Sequence, residues 1–248
     1  MKVIILAAGR GSRMNEKTET LPKCMLEVCN KTILQRCLEN LVLGGIKKEN
    51  IGIITGYMSQ SFQGIDKVTF FKNNHWNNTG IFASLLCAEE WLRKYECIIC
   101  YSDIIFSPKV IKRMISSKSN FLLPYYTNFK ELWNERFDNP LDDLESFKIK
   151  DGKLTDIGGK TIDISNVMGQ YMGLIKTSPD IGNRMIDFMK ENYPERINKI
   201  DMTSMLKLLI DNNFNIDTIP CSELWLECDN QKDIELYEKH YGEIEYEY

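Results

Sequence analysis

Met1-Lys2-Val3-Ile4-Ile5-Leu6-Ala7-Ala8-Gly9-Arg10-Gly11-Ser12-Arg13-Met14 opens the chain, and its reading decides the fold. Lys2 to Leu6 is a short apolar run that stops at Ala-Ala-Gly, the pattern of a strand buried on both faces. Glycines placed directly after such a strand let backbone N–H groups approach phosphate oxygens with no Cβ in the way. Met14 stands where the dinucleotide fingerprint needs a third glycine or alanine, so the loop is not that motif. No Gly-Lys-Ser/Thr closes it, so it is not a P-loop either. The apolar run is also far too short for a signal-peptide core.

Outward from that loop the elements alternate. Residues 33–43 carry Leu34, Leu38, Leu41 and Val42 at helical spacing, closed by Gly44-Gly45. Residues 51–55 read as a second strand, 68–71 as a third, 79–95 as a helix, and 97–101 as a buried strand running into Ser102-Asp103. This rhythm predicts an α/β fold with a mostly parallel central sheet flanked by helices. Ligands in such sheets sit beyond the carboxyl ends of the strands, where both the Gly9 loop and Asp103 fall. After Phe106 the pattern turns β-rich, with short strands expected at 121–126, 146–149, 154–157 and 170–175, punctuated by Asp151-Gly152 and Gly158-Gly159. Helices are expected at 180–191, 202–212 and 233–241, followed by a frayed acidic tail over 243–248. With no repeat, low-complexity stretch or linker, residues 1–248 read as one domain, with 1–106 as one half and 107–242 as the other.

Composition narrows the function. The 248 residues are 43% hydrophobic and 27% charged, the proportions of an ordinary globular protein. The formal net charge of −4 argues against nucleic-acid binding, which needs a basic face to release counterions. Mean hydropathy is −0.30, and no apolar stretch approaches the roughly 20 residues of a membrane helix. Eight cysteines without an export signal point to free thiols in the cytoplasm. Cys97 and Cys100 form a C-x-x-C with no second ligand pair, and His75 and His240 supply none, so buried packing is expected rather than zinc.

Leu21-Pro22-Lys23-Cys24-Met25-Leu26-Glu27-Val28 follows a polar loop, residues 15–20, placed to fold over a ligand. Arg10, Arg13 and Lys23 thereby bring three cations to one anionic site. L-A-A-G-x-G-x-R-M followed by P-K-x-M-L-x-V resembles the signature of the nucleotidyltransferases that make nucleotide-activated sugars and head groups. The resemblance implies a Rossmann-like nucleotidyltransferase fold with a β-rich acceptor-binding second half. It also implies a nucleoside triphosphate cradled by Leu6, Ala7, Ala8, Gly9, Arg10, Gly11 and Ser12, with Arg13 and Lys23 as the catalytic cations.

Nucleotidyl transfer gathers negative charge and calls for a divalent metal on hard oxygen ligands. Asp103 ends a strand, and Glu227 and Asp229 lie two apart in the alternating segment Leu224-Trp225-Leu226-Glu227-Cys228-Asp229, on one face of a strand. In the family a strand-end Asp and a late E-x-D followed by a short helix bind magnesium. Asp103, Asp229 and Glu227 are accordingly the expected Mg2+ ligands.

Asn73-Asn74-His75-Trp76-Asn77-Asn78-Thr79-Gly80 resembles the Asn/Thr-rich stretch with which cytidylyltransferases of small phosphates line the nucleotide. That likeness adds Asn78, Thr79 and Ser84, with Ser102 at the strand end, as nucleotide-binding candidates. Trp133-Asn134-Glu135-Arg136-Phe137, Glu145 to Lys148, Gly159-Lys160, Gln170-Tyr171-Met172-Gly173-Leu174 and Met202-Thr203-Ser204 together resemble the CTP:phosphoglutamine cytidylyltransferases of capsule phosphoramidate synthesis, and after them those of phosphocholine. Trp133, Arg136, Lys148, Lys160 and Gln170 become the acceptor-binding candidates.

The expected activity is therefore Mg2+-dependent transfer of CMP from CTP to a small phosphorylated acceptor, releasing pyrophosphate, for cell-surface polysaccharide or head-group modification. Nucleic acid and membrane are not expected partners, and the sequence is silent on oligomeric state. The alternative is a sugar-1-phosphate nucleotidyltransferase using UTP, dTTP or GTP, disfavoured because the Pro-Leu-Thr of that branch is absent between Met14 and Leu21. A third reading is a non-catalytic nucleotide-binding subunit, against which Arg13, Lys23, Asp103 and Asp229 stand as a full set.

Overall fold

The computed structural model describes residues 1–240 and, for residues 15–17, the backbone alone. The expected tail at 243–248 and the last residue of the expected 233–241 helix lie outside the described residues, as do the side chains of 15–17 in the loop expected to cover a ligand. In chain order the strands are β1 (Lys2–Ala7), β2 (Glu27–Val28), β3 (Lys31–Thr32), β4 (Ile51–Thr55), β5 (Thr69–Lys72), β6 (Cys97–Tyr101), β7 (Ile104–Phe106), β8 (Phe121–Tyr126), β9 (Glu145–Lys150), β10 (Lys153–Lys160), β11 (Gln170–Tyr171), β12 (Leu174–Thr177), β13 (Asp217–Cys221) and β14 (Trp225–Glu227). The helices are α1 (Ile33–Leu43), α2 (Ile81–Leu85), α3 (Glu89–Lys94), α4 (Pro108–Ser116), α5 (Phe129–Arg136), α6 (Pro179–Asn192), α7 (Met202–Asp211) and α8 (Gln231–His240).

One ten-stranded mixed sheet runs β5-β4-β1-β6-β12-β8-β13-β10-β9, with β11 also pairing β8. It is parallel from β5 through β6, as the βαβ rhythm requires. Beyond β6 it is antiparallel at β12 and at the β9–β10 hairpin, and parallel again only between β8 and β13. Val3, Ile4 and Ile5 of β1 and Ile98, Ile99 and Cys100 of β6 have no exposed surface, which fits strands covered on both faces. Helix α1 starts at a capping box between Thr32 and Gln35 and stops at Gly44. Its buried face, Ile33, Leu34, Cys37, Leu38 and Leu41, is the one that helical spacing selects.

The helix expected over 79–95 is interrupted. It becomes α2, a tight 3-10 turn at Leu86–Ala88, and α3. The break lays α3 on α6, where Gly182 packs so closely that an added Cβ would stand 2.2 Å from the Leu92 carbonyl oxygen. The strand expected over 170–175 also splits, at Gly173, whose φ of +72° is open to glycine.

Two connections position the functional end of the sheet. The register pairs Leu6 with Tyr101 and Ala7 with Thr55, so the glycine loop and Ser102-Asp103 leave the sheet side by side. A separate two-stranded ribbon pairs β14 with β7, Glu227 opposite Ile104, and the Cys228 N–H then donates to the Asp103 carbonyl at 2.8 Å. A residue from near the end of the chain is thereby tied to the strand-end Asp103. Among the described residues no helix is long and apolar enough to cross a membrane.

Candidate active site

Beyond the carboxyl ends of β1 and β6 lies a cleft of about 350 Å³. Its walls are the glycine loop, Lys23, the start of α2 and the Tyr101-Ser102-Asp103 corner, with Asp229 at one end. Leu6, Ala7, Ala8, Gly9, Gly11, Ser12, Thr79, Ser84 and Ser102 line it together with Arg13, Lys23, Asp103 and Asp229. These residues were expected at the site, and the fold brings them to one place.

Lys23 is the centre of the charge arrangement. Its Nζ donates to Asp103 Oδ2 at 2.7 Å and to Asp229 Oδ1 at 2.8 Å, while Arg13 Nη1 donates to Asp229 Oδ2. Burial alone would pull the Lys23 pKa down, but the two carboxylates outweigh it and hold the ammonium above its ordinary range. Burial likewise opposes charge on Asp229, and Lys23, Arg13 and Arg136 overcome it to keep that carboxyl below its ordinary value. Lys23 and Asp229 are therefore both charged at neutral pH. Cys24, on the cleft wall, is buried, and its thiol is pushed up to about 12, so it is inert packing rather than a nucleophile.

Gly11 makes room for Lys23. Its φ is +72°, and a Cβ there would stand 2.5 Å from Lys23 Cβ. The glycine thus serves the lysine stem as well as any phosphate. A second support comes from Asn73, which the sequence reading quoted but did not single out. Its buried Nδ2 donates to Thr79 Oγ1 and Ser84 Oγ, both at 2.9 Å, and its Oδ1 accepts the His75 N–H. Trp76 was missed as well. It lines the cleft and packs edge-on against Tyr57 at 5.1 Å. An aromatic immediately before the Asn/Thr run was the available signal.

Several expected site residues lie elsewhere. Arg10 is 4.0 Å from Glu19 and over the Tyr57 ring, and both it and the exposed Asn78 are outside the cleft lining. Glu227 turns to Arg136, with Nη1 donating to its Oε2 at 3.2 Å. Burial, reinforced by the charges of Asp103 and Asp229, pushes the Glu227 carboxyl up to about 7. Arg136 is not free to meet an acceptor phosphate, because its guanidinium is fully buried and engaged with Asp233 and Glu227. Trp133 is sealed too, stacked on Trp225 at 6.1 Å. Gln170 spends its amide on the Glu145 and Gly169 carbonyls. Lys148 and Lys160 line a different groove with Arg196 and Lys207.

The residues present suit a hard divalent ion. Among the described residues no three His, Cys, Asp or Glu side chains form a ligand cluster, and Asp103 and Asp229 are the two carboxylates that line the cleft. Two carboxylates that leave the remaining positions to phosphate oxygens and water is the manner in which Mg2+ is usually held. Among the described residues Asp103 Oδ1 is buried without a hydrogen-bond partner, which leaves an acceptor able to take a cation, and Lys23 Nζ already places positive charge between the two carboxylates.

A glycine loop at the end of a central parallel strand, a buried lysine and an arginine beside it, and two carboxylates suited to a metal define a nucleotidyltransferase. Such enzymes generally use a divalent metal. The chain belongs to the MobA-like NTP transferase domain family, whose model matches residues 3–127. It is 30% identical over 253 residues to the CTP:phosphoglutamine cytidylyltransferase of Campylobacter jejuni, covering 95% of this chain and 98% of that one. It is 27% identical over 197 residues to the 2-aminoethylphosphonate cytidylyltransferase of Lancefieldella rimae, covering 77% and 73%. The fold matches that of CTP:phosphocholine cytidylyltransferase from Streptococcus pneumoniae with a TM-score of 0.75 at 20% identity, over 96% of this chain and 97% of that one.

Proposed function

We propose that the protein is a cytoplasmic, Mg2+-dependent cytidylyltransferase that moves CMP from CTP to a small phosphorylated acceptor and releases pyrophosphate, serving cell-surface polysaccharide or head-group modification. The observation that carries this reading is Lys23 Nζ at 2.7 and 2.8 Å from the Asp103 and Asp229 carboxylates, at the end of a cleft built by the glycine loop. The choice of CTP and of a phosphate or phosphonate acceptor is supported by the two cytidylyltransferase relatives.

An oxygen of the acceptor's phosphate or phosphonate group attacks the α-phosphorus of CTP. A P–O bond forms as the bond from the α-phosphorus to the bridging oxygen breaks, and pyrophosphate leaves with that electron pair. The attacking oxygen is already ionised at neutral pH, so no general base is required. Lys23 stabilises the charge that grows on the α-phosphate, and Arg13 the charge on the departing pyrophosphate. Backbone N–H groups of the glycine loop hold the triphosphate. Thr79 and Ser84, fixed by Asn73, face the nucleoside, and Trp76 gives it an aromatic wall. Mg2+ held by Asp103 and Asp229 supplies Lewis-acid neutralisation of the reacting phosphates when bound. In this division residues 1–106 hold the nucleotide, while 107–242 receive the acceptor and complete the metal site through Asp229.

Pyrophosphate release tests the reading. The panel is CTP, UTP, dTTP and GTP with Mg2+, against phosphoglutamine, phosphocholine, 2-aminoethylphosphonate and sugar-1-phosphates. Release is expected with CTP and one of the amino-bearing acceptors. Release confined to UTP, dTTP or GTP with a sugar-1-phosphate would replace the proposal with the sugar branch. CTP binding without release from any pair would make the protein a non-catalytic subunit.

A further inference from the structure

The Arg136–Asp233 pair is the most completely buried ion pair described, with neither side chain exposed at all, and the transfer chemistry above does not use it. Arg136 Nε and Nη2 donate to the two Asp233 oxygens at 3.0 and 3.1 Å, a fork on a fork, while Nη1 reaches Glu227 at 3.2 Å. The rings of Trp133 and Phe137, each 5.0 Å from the guanidinium carbon, fix its plane. Buried pairs of this kind rarely add net stability over apolar packing, so the geometry they enforce is the better guide to their use.

That geometry ends at Asp229. Asp233 Oδ2, the oxygen held by Arg136 Nη2, accepts the backbone N–H of Asp229 at 2.8 Å and that of Asn230 at 3.0 Å. Asn230 Oδ1 in turn accepts the Asp233 N–H at 3.2 Å, which closes a reciprocal cap on the first turn of α8. On the other side, the Cys228 N–H is bonded to the Asp103 carbonyl. The Asp229 backbone is thus clamped between the Asp103 strand end and the Arg136-held carboxylate. Arg136 also fixes Glu227, two residues before Asp229. Arginine suits this task because one planar group fixes two carboxylates at once, whereas a lysine ammonium is a single point charge.

We propose that Arg136 and Asp233 are positioning residues for the metal-binding carboxylate of Asp229, and that Arg136 acts through Asp233 rather than on the acceptor. The inference rests on the reading of Asp229 as a metal ligand. Groups that orient metal ligands from behind typically cost about 10- to 100-fold in metal affinity or activity when replaced. Apart from Asp229, the cleft is lined by elements that neither Arg136 nor Asp233 holds, so nucleotide binding without metal is expected to change little.

The test compares the affinity of CTP alone with that of Mn2+·CTP by calorimetry. The native chain, Arg136→Lys, the paired variant Arg136→Met with Asp233→Leu, and Asp229→Ala as reference are measured, each with its thermal midpoint. The native chain is expected to bind Mn2+·CTP more tightly than CTP, and Asp229→Ala to lose that gain. Arg136→Lys, which keeps a buried cation beside Asp233, is expected to fold and to lose about tenfold or more of the gain, with affinity for CTP alone unchanged. The paired variant removes both members of the fully buried pair, leaves only the part-exposed Glu227 without its arginine, and, where it folds, is expected to lose the gain as well. A full metal-dependent gain in Arg136→Lys would overturn the positioning role while leaving the functional reading intact. A native chain that gains nothing from metal, or a gain that survives Asp229→Ala, would overturn the metal reading and this inference with it.

Discussion

Lys23 and Arg136 are both buried cations held between two carboxylates, and both bear on Asp229: Lys23 through the side chain, Arg136 through Asp233 and the backbone. Their surroundings separate them. The Lys23 cluster faces the glycine-loop cleft and includes an acceptor atom, Asp103 Oδ1, that has no hydrogen-bond partner among the described residues. The Arg136 cluster is closed, with the guanidinium and the Asp233 carboxylate wholly out of solvent between aromatic rings. Charge stored at a cleft is available to a ligand, while charge sealed in a core only holds neighbours in place. The same residue types therefore serve different ends according to what they leave unsatisfied.

Substitutions sharpen that contrast. The largest effect is expected at the sealed cluster: Arg136→Met alone strands the buried Asp233 carboxylate and should destabilise the fold by about 3–5 kcal/mol in urea unfolding. A loss below about 1 kcal/mol would mean that water reaches the pair. Next comes Gly11→Ala, which forces a Cβ into the Lys23 stem at a left-handed backbone position. Displacing Lys23 in this way should lower kcat by about 10²-fold, and steady-state kinetics with an intact melting curve would separate it from misfolding. Asn73→Ala removes the donor that holds Thr79 and Ser84 and should raise KM for CTP by about tenfold, with kcat moved less. The smallest effect is expected from Lys148→Ala and Lys160→Ala, whose side chains line the other groove. Turnover should change by less than about twofold, and a tenfold rise in KM for the acceptor would return them to its binding site.

Residues 1–106 were the more legible in sequence because their site candidates sit on contiguous segments. β1 and its glycines, Lys23 after Pro22, and Asp103 just beyond the five-residue apolar run 97–101 each announce their place locally. The second half was harder for physical reasons. β13 carries Pro220, which reads as a breaker, yet it pairs in parallel with β8, which carries Pro124. β7 is only three residues long, and its partner β14 lies more than a hundred residues away. The N-terminal signal of α4, Ser107 capping with Pro108 at the first turn, was present in the sequence but not taken up. Asp229 was found through its E-x-D spacing, whereas the engagement of Arg136 by Asp233 depends on α5 meeting α8, which no local pattern encodes.

The central claim is that the Lys23–Asp103–Asp229 cluster performs the transfer. Its most direct test is the rate of pyrophosphate release from CTP and Mg2+, with the acceptor selected by the panel, for the native chain and for Lys23→Ala at matched folded concentration. A fall of about 10²-fold or more in kcat, with CTP still bound, is the predicted result. A Lys23→Ala variant that turns over at near-native rate would contradict the account.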